Sequence, residues 1–178
     1  MTCLFELSIA LLITLLNGFF VMAEYSLVRI RKSRLDELIR QGKSRASTVL
    51  KMSEKLDTYL SATQLGITAS SLLLGWFGGP LLAEMFRGMF GVSAGTWYHH
   101  SLVFACAFLI IVFLHVVFGE LVPRTIALGK VEQVAMAVAY PLVFFHYLLY
   151  PLVVLFNRIS HAVLCLLGVD PVPDEDIS

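Results

Sequence analysis

Residues 113–128 read FLHVVFGELVPRTIAL, an apolar run into which one carboxylate, Glu120, is set beside Gly119 and ahead of Pro123. A carboxylate in hydrocarbon is costly unless something compensates it, so an acid in such a run is a candidate functional residue. Pro123 has no N–H to give the carbonyl four residues earlier, which is that of Gly119. The expectation is that this oxygen faces an ion or another donor. An acid, a carbonyl and nearby hydroxyls form an all-oxygen environment, which suits hard cations such as Mg2+ or Na+ over zinc or copper. A second reading stands beside it, in which Glu120 snorkels to the interface and pairs with Arg124 four residues on.

Composition decides which solvent surrounds these residues. Of 178 residues, 58% are hydrophobic and 15% charged, and mean hydropathy is +0.81. Soluble domains carry about 25% charged residues, and several uncharged runs here reach the ~20 residues that cross a bilayer core. The chain is therefore expected to be a multi-pass membrane protein. The first apolar run has no basic residues before it, so a retained span is expected, not a cleaved signal.

Net charge is zero, from 13 basic and 13 acidic residues, but nine of the basic ones lie between Arg29 and Lys55. No aromatic or glycine pattern accompanies them, which argues against nucleic acid. The positive-inside tendency places the segment in the cytoplasm. Within it Leu35, Leu38 and Ile39, then Val49, Met52 and Leu56, recur at helical spacing. This predicts an amphipathic helix with a break near Gly42, its basic face towards headgroups.

Spans are expected over about 4–28, 59–83 and 101–122. In the first, Asn17 is the one strongly polar interruption between Glu6 and Glu24. The second carries the hydroxyls of Ser70 and Ser71, and Gly75 with Gly79 at the spacing that lets helix backbones approach. Serines in a span also hydrogen-bond the carbonyl one turn back, which would leave Ser70 and Ser71 structural. Between the second and third spans an outer loop ends in Trp97, Tyr98, His99 and His100, the histidines read as solvated. The fourth apolar stretch, 133–157, contains Pro141 and Pro151, and these predict a broken helix pair that does not cross. Cys3, Cys106 and Cys165 have no metal-type spacing.

Three stretches carry a family resemblance. FGELVPRTIAL resembles the Gly-Glu-x-x-Pro-Lys signature closing the third helix of the CorC and cyclin M magnesium transporters. NGFFVMAEYSLVRIRKSRLDEL resembles that family's first helix and its basic continuation, and ATQLGIT the start of its second. Together they cover nearly the whole chain in the right order. The resemblance implies an all-α integral membrane domain over residues 1–168. This domain would have three transmembrane helices, an amphipathic juxtamembrane helix over about 30–56, and a belt-like, proline-broken helix pair over about 131–167 on the cytoplasmic side. It also implies a homodimer in the inner cell membrane, with the N-terminus outside and the C-terminus cytoplasmic. Residues 169–178 would be a linker towards cytoplasmic CBS domains of the same full-length chain.

By the same resemblance, Mg2+ is held by oxygens from all three spans. Carried onto this sequence, the ligands are Glu120, the Gly119 carbonyl, Ser70 or Ser71, and Ser26. Many relatives have asparagine where Ser70 and Ser71 stand. Cyclin M relatives place serine or asparagine slightly earlier in the first helix, which brings in Glu24 instead of Ser26. Arg124 replaces the usual lysine and keeps the charge. The implied function is secondary transport of Mg2+, as efflux, with Na+ as the coupling ion. The alternative is a membrane-embedded divalent-cation sensor or scaffold acting on a cytoplasmic partner. An intramembrane enzyme would need a Ser/His or paired-acid motif, and a primary pump a nucleotide-binding loop; the sequence has neither.

Overall fold

The computed structural model describes residues 2–90 and 97–168, with side chains for residues 5, 7–78, 105–106 and 108–168. Every described element is a helix: α1 Thr2–Arg29, α2 Lys32–Arg40, α3 Ser44–Glu54, α4 Leu56–Phe90, α5 Trp97–Leu114, a π-helix His115–Leu121, α6 Val122–Gly129 and α7 Val131–Leu166. Trp97 to His100 open α5, where a loop was expected; residues 91–96 of that loop and the linker at 169–178 lie outside the described residues.

Among the described residues, three stretches are long and apolar enough to cross a membrane: Leu7–Arg29, Phe108–Gly129 and Val131–Leu166. The first and second of these overlap the expected first and third spans. The expected second span lies within α4, a single 35-residue helix.

The fourth apolar stretch differs from the expectation of a broken pair. Pro141 and Pro151 both sit inside one continuous 36-residue helix, α7. Proline's fixed φ suits a helix, and its cost is one missing hydrogen bond and a ring clash. In an apolar setting the other backbone groups have no partner outside the helix, so carrying it through costs less than breaking it.

Two compact units divide the chain. The first comprises Met1–Val21 and Gly66–Thr125. Its apolar core is Ile13, Leu74 and Ile111, with Ile9 and Ala10 against them. Close approach relies on glycine. A Cβ on Gly66 would lie 2.6 Å from the Phe20 ring, one on Gly18 2.9 Å from Pro123 Cγ, and one on Gly78 2.9 Å from Ile111 Cδ1. Gly75 is exposed with open space around it within the single chain, and Gly79, paired with it by spacing, lies outside the residues whose side chains are described.

The second unit comprises Met22–Leu65 and Ile126–Ser178. Here α3 packs on both α2 and α7. The amphipathic pattern explains it: Leu35 and Leu38 of α2 and Val49 and Met52 of α3 are buried while their charged neighbours face out. Each such burial stabilises by about 1.5–3 kcal/mol. Between α2 and α3 the chain turns at Gly42, whose φ of 81° is left-handed. Lys43 N–H reaches the Leu38 carbonyl at 3.1 Å and Gly42 N–H that of Ile39 at 2.9 Å. This is the paired closure that glycine permits at a helix C-terminus. Arg34 ties α2 to the start of α7, its Nε 2.6 Å from Glu132 Oε1, and it also pairs with Glu37. The two carboxylates, Glu132 foremost, hold the Arg34 guanidinium above the usual arginine range.

Candidate ion site

Within the first unit the polar side chains converge from α1, α4 and the π-helix. Asn17 of α1 is 1% exposed, and its Nδ2 donates to the Gly119 carbonyl at 2.8 Å. The carbonyl expected to face an ion thus already has one partner. Pro123 offers it no N–H, and a buried carbonyl must find a donor elsewhere. A carbonyl oxygen carries two lone pairs, so one acceptor position is left for a cation.

Ser71 of α4 links the cluster. Its Oγ donates to the Ile67 carbonyl at 2.8 Å, and lies 3.1 Å from His115 Nε2 and 3.5 Å from Asn17 Oδ1. A hydroxyl has one proton, and the Ile67 bond uses it. The contact with His115 is then made by a ring N–H donating to Ser71. In the neutral ring that leaves Nδ1 as a bare lone pair, buried without a partner. A Cβ on Gly119 would stand 3.1 Å from that nitrogen and 3.2 Å from Asn17 Nδ2, so a larger residue there would push both side chains back by a few tenths of an ångström.

The local backbone sets this up. His115–Leu121 is a π-helix, and the N–H of Val122 bonds the Val117 carbonyl five residues back. The wider turn presents His115 and Gly119 together to Asn17 and Ser71. A cavity of about 340 Å³ lies in the same unit. Thr14 and His115 are the polar residues of a wall otherwise made by residues such as Leu11, Leu74, Ile111 and Phe118.

The structure sorts the residues expected from sequence. Ser71 and Gly119 meet, together with Asn17 and His115. Ser70 is buried and donates to the Gly66 carbonyl at 2.8 Å, one turn back. Its oxygen keeps lone pairs but its proton is committed. Glu120 is exposed. Ser26 and Glu24 belong to the second unit. Ser26 is fully buried and donates to the Ala23 carbonyl at 3.1 Å, while Glu24 is half-buried.

Two members of the cluster, Asn17 and His115, were not among the expected ligands. Asn17 was visible as the lone strongly polar residue in an apolar helix. His115 stands five residues before Glu120, a spacing that puts the two on different sides of an α-helix. Only the π register brings them towards one side. Among the described residues no three of His, Cys, Asp and Glu gather as a metal cluster. The arrangement offers neutral oxygens, one imidazole and one nearby carboxylate. The oxygens could contact a hard cation, whereas an imidazole is a ligand for softer metals.

The sequence model of the cyclin M transmembrane N-terminal domain matches residues 7–178. UPF0053 protein YhdT of Bacillus subtilis is 39% identical over 162 residues, covering 90% of this chain and 35% of its own. UPF0053 protein YrkA of the same organism is 35% identical over 174 residues, covering 97% and 40%. The uncharacterized protein Rv1841c of Mycobacterium tuberculosis is 38% identical over 170 residues, covering 96% and 48%. The chain thus spans about a third to a half of the length of these relatives.

Proposed function

The chain belongs to the family of cyclin M transmembrane N-terminal domains, and on that premise we propose that it carries Mg2+ across the membrane as a secondary transporter. The observation that carries this reading is the convergence of Asn17, Ser71 and the Gly119 carbonyl from three apolar helices, one residue from Glu120. Mg2+ is small, prefers octahedral oxygen geometry and sheds water reluctantly. A site of neutral oxygens plus one carboxylate compensates part of its charge and still releases it. Glu120 supplies the charge, and the Gly119 carbonyl, Ser71 and Ser70 supply dipoles. Ser26 and Glu24 are first-span candidates by the family resemblance alone. Transport runs by alternating exposure of that site, in the direction of efflux and coupled to Na+.

The basic segment from Arg29 to Lys55 is cytoplasmic, the N-terminus external and the C-terminus cytoplasmic. The protein works as a homodimer whose full-length chain continues into cytoplasmic CBS domains. The test is flux of Mg2+ from proteoliposomes containing the purified chain, with and without a Na+ gradient. Na+-stimulated flux is expected. Mg2+ binding by calorimetry with no flux in either condition would replace transport with the sensor reading.

A further inference from the structure

We propose that the second unit holds a binding site for the phosphate of an anionic phospholipid headgroup. A cavity of about 790 Å³ opens there, walled by Lys32 of α2, the α3–α4 junction and one face of α7. Three cations line it: Lys32, Lys55 and Arg158. Among the described residues none of the three has an ion-pair partner within 4 Å. Glu54 and Asp57 line it too, so cations exceed acids by one. A ligand is therefore selected by placed donors more than by a bulk field.

Two further features border the cavity. α4 begins at Leu56, and its first intrahelical bond is Tyr59 N–H to the Lys55 carbonyl at 3.3 Å. The N–H groups of Leu56, Asp57 and Thr58 precede that bond, and all three residues line the cavity at the positive end of a 35-residue helix. The second is His146. It lines the same cavity at 8% exposure, with its Nδ1 buried and unpartnered. Tyr59 lies against its ring at 4.5 Å between centroids, and Tyr150 at 5.8 Å. His146 Nδ1 is itself closed off from solvent, so the phosphate is held by the three cations with the start of α4 beside them.

The source of the phosphate follows from the surroundings. The cavity lies in the unit that contains the basic segment, where inner-leaflet headgroups are expected. Along α7, exposed Leu152, Leu155, Phe156 and Ile159 alternate with the lining residues Val153, Val154 and Arg158. A polar cradle bordered by exposed apolar side chains matches an amphiphile, whereas a soluble phosphate ester would use the cradle alone. The inference rests on the membrane setting and is independent of which ion is transported.

The experiment is native mass spectrometry of the purified chain in micelles doped with phosphatidylglycerol or phosphatidylcholine. Phosphatidylglycerol should be retained in preference. Lys55 and Arg158 are exposed, so Lys55→Gln/Arg158→Gln should fold normally. It should weaken that retention by about 30-fold, since each cation near a membrane surface contributes a factor of about five. Arg158→Lys should restore most of the loss. Arg40→Gln/Lys51→Gln, outside the cavity, should leave retention unchanged. Equal retention of both lipids, or an undiminished preference in the Lys55/Arg158 variant, would overturn the site and leave a water-filled cavity. Displacement of phosphatidylglycerol by millimolar inorganic phosphate would keep the anion site and overturn the lipid as its source.

Discussion

The two units treat polarity in opposite ways. In the first, uncharged groups meet through hydrogen bonds, Asn17 to the Gly119 carbonyl, Ser70 to Gly66 and Ser71 to Ile67, while His115 Nδ1 is left without a partner. In the second, the principal network is ionic and open to solvent, Arg34 between Glu37 and Glu132 with side chains 37–47% exposed. A dipole can be taken out of water for the cost of one good hydrogen bond, whereas a charge needs a partner and further donors. A chain that crosses lipid therefore buries its uncharged polar groups and leaves its charged ones towards solvent. Glu120 is the exception within the first unit: a carboxylate beside the neutral cluster but itself exposed.

The largest expected effect is at that exception. Glu120→Gln should abolish Mg2+ flux and weaken calorimetric Mg2+ affinity more than Ser70→Ala or Ser71→Ala, because charge-assisted contacts are roughly twice as strong as neutral ones. Its melting curve should not move, and Glu120→Lys should be worse in flux. Wild-type affinity in a folded Glu120→Gln protein would remove Glu120 from the site.

Next is Gly66→Ala, which drives a methyl to within 2.6 Å of the Phe20 ring. Overpacking of this kind costs about 1–3 kcal/mol, read as a lower midpoint in thermal melting. An unchanged midpoint would mean that Phe20 yields and the helices are not held by that contact. Asn17→Leu should fall at the lower end of about 1–3 kcal/mol, the cost of leaving the buried Gly119 carbonyl unpaired. Smallest is Arg34→Gln, whose exposed pair is screened by salt; its melting shift should be barely resolvable and vanish in 1 M salt. If Arg34→Gln proved more damaging than Asn17→Leu, the contrast between the units would be inverted.

Much of the fold could be read from composition and period. The all-helical membrane character follows from uncharged runs of spanning length, and the turn between α2 and α3 from a glycine amid an amphipathic pattern. What could not be read depends on backbone register and on which competing cost wins. Pro141 and Pro151 predict breaks if their lost hydrogen bonds are weighed alone, but α7 passes through both. Glu120, Gly119 and the paired serines stood out by residue type, while His115 was hidden because α-helical spacing directs it elsewhere. Asn17 looked like a blemish in an apolar run, and its partner lies 102 residues away. No local pattern encodes that distance.

The π-helix at His115–Leu121 has a consequence for how this chain can lose residues. Pairing five apart accommodates one residue more than an α-helical turn would. Deleting a single residue there would let the segment rewind into ordinary α-helix with its hydrogen bonds intact, a deletion that heals its own backbone. The roughly 100° that a residue adds in an α-helix would be offset by the loss of the wide turn, so Pro123 would stay by Gly18, where a Cβ would stand only 2.9 Å from its ring. Such a shortened protein would keep its helical spectrum and its packing after the turn, and lose the register that brings His115 and Gly119 together.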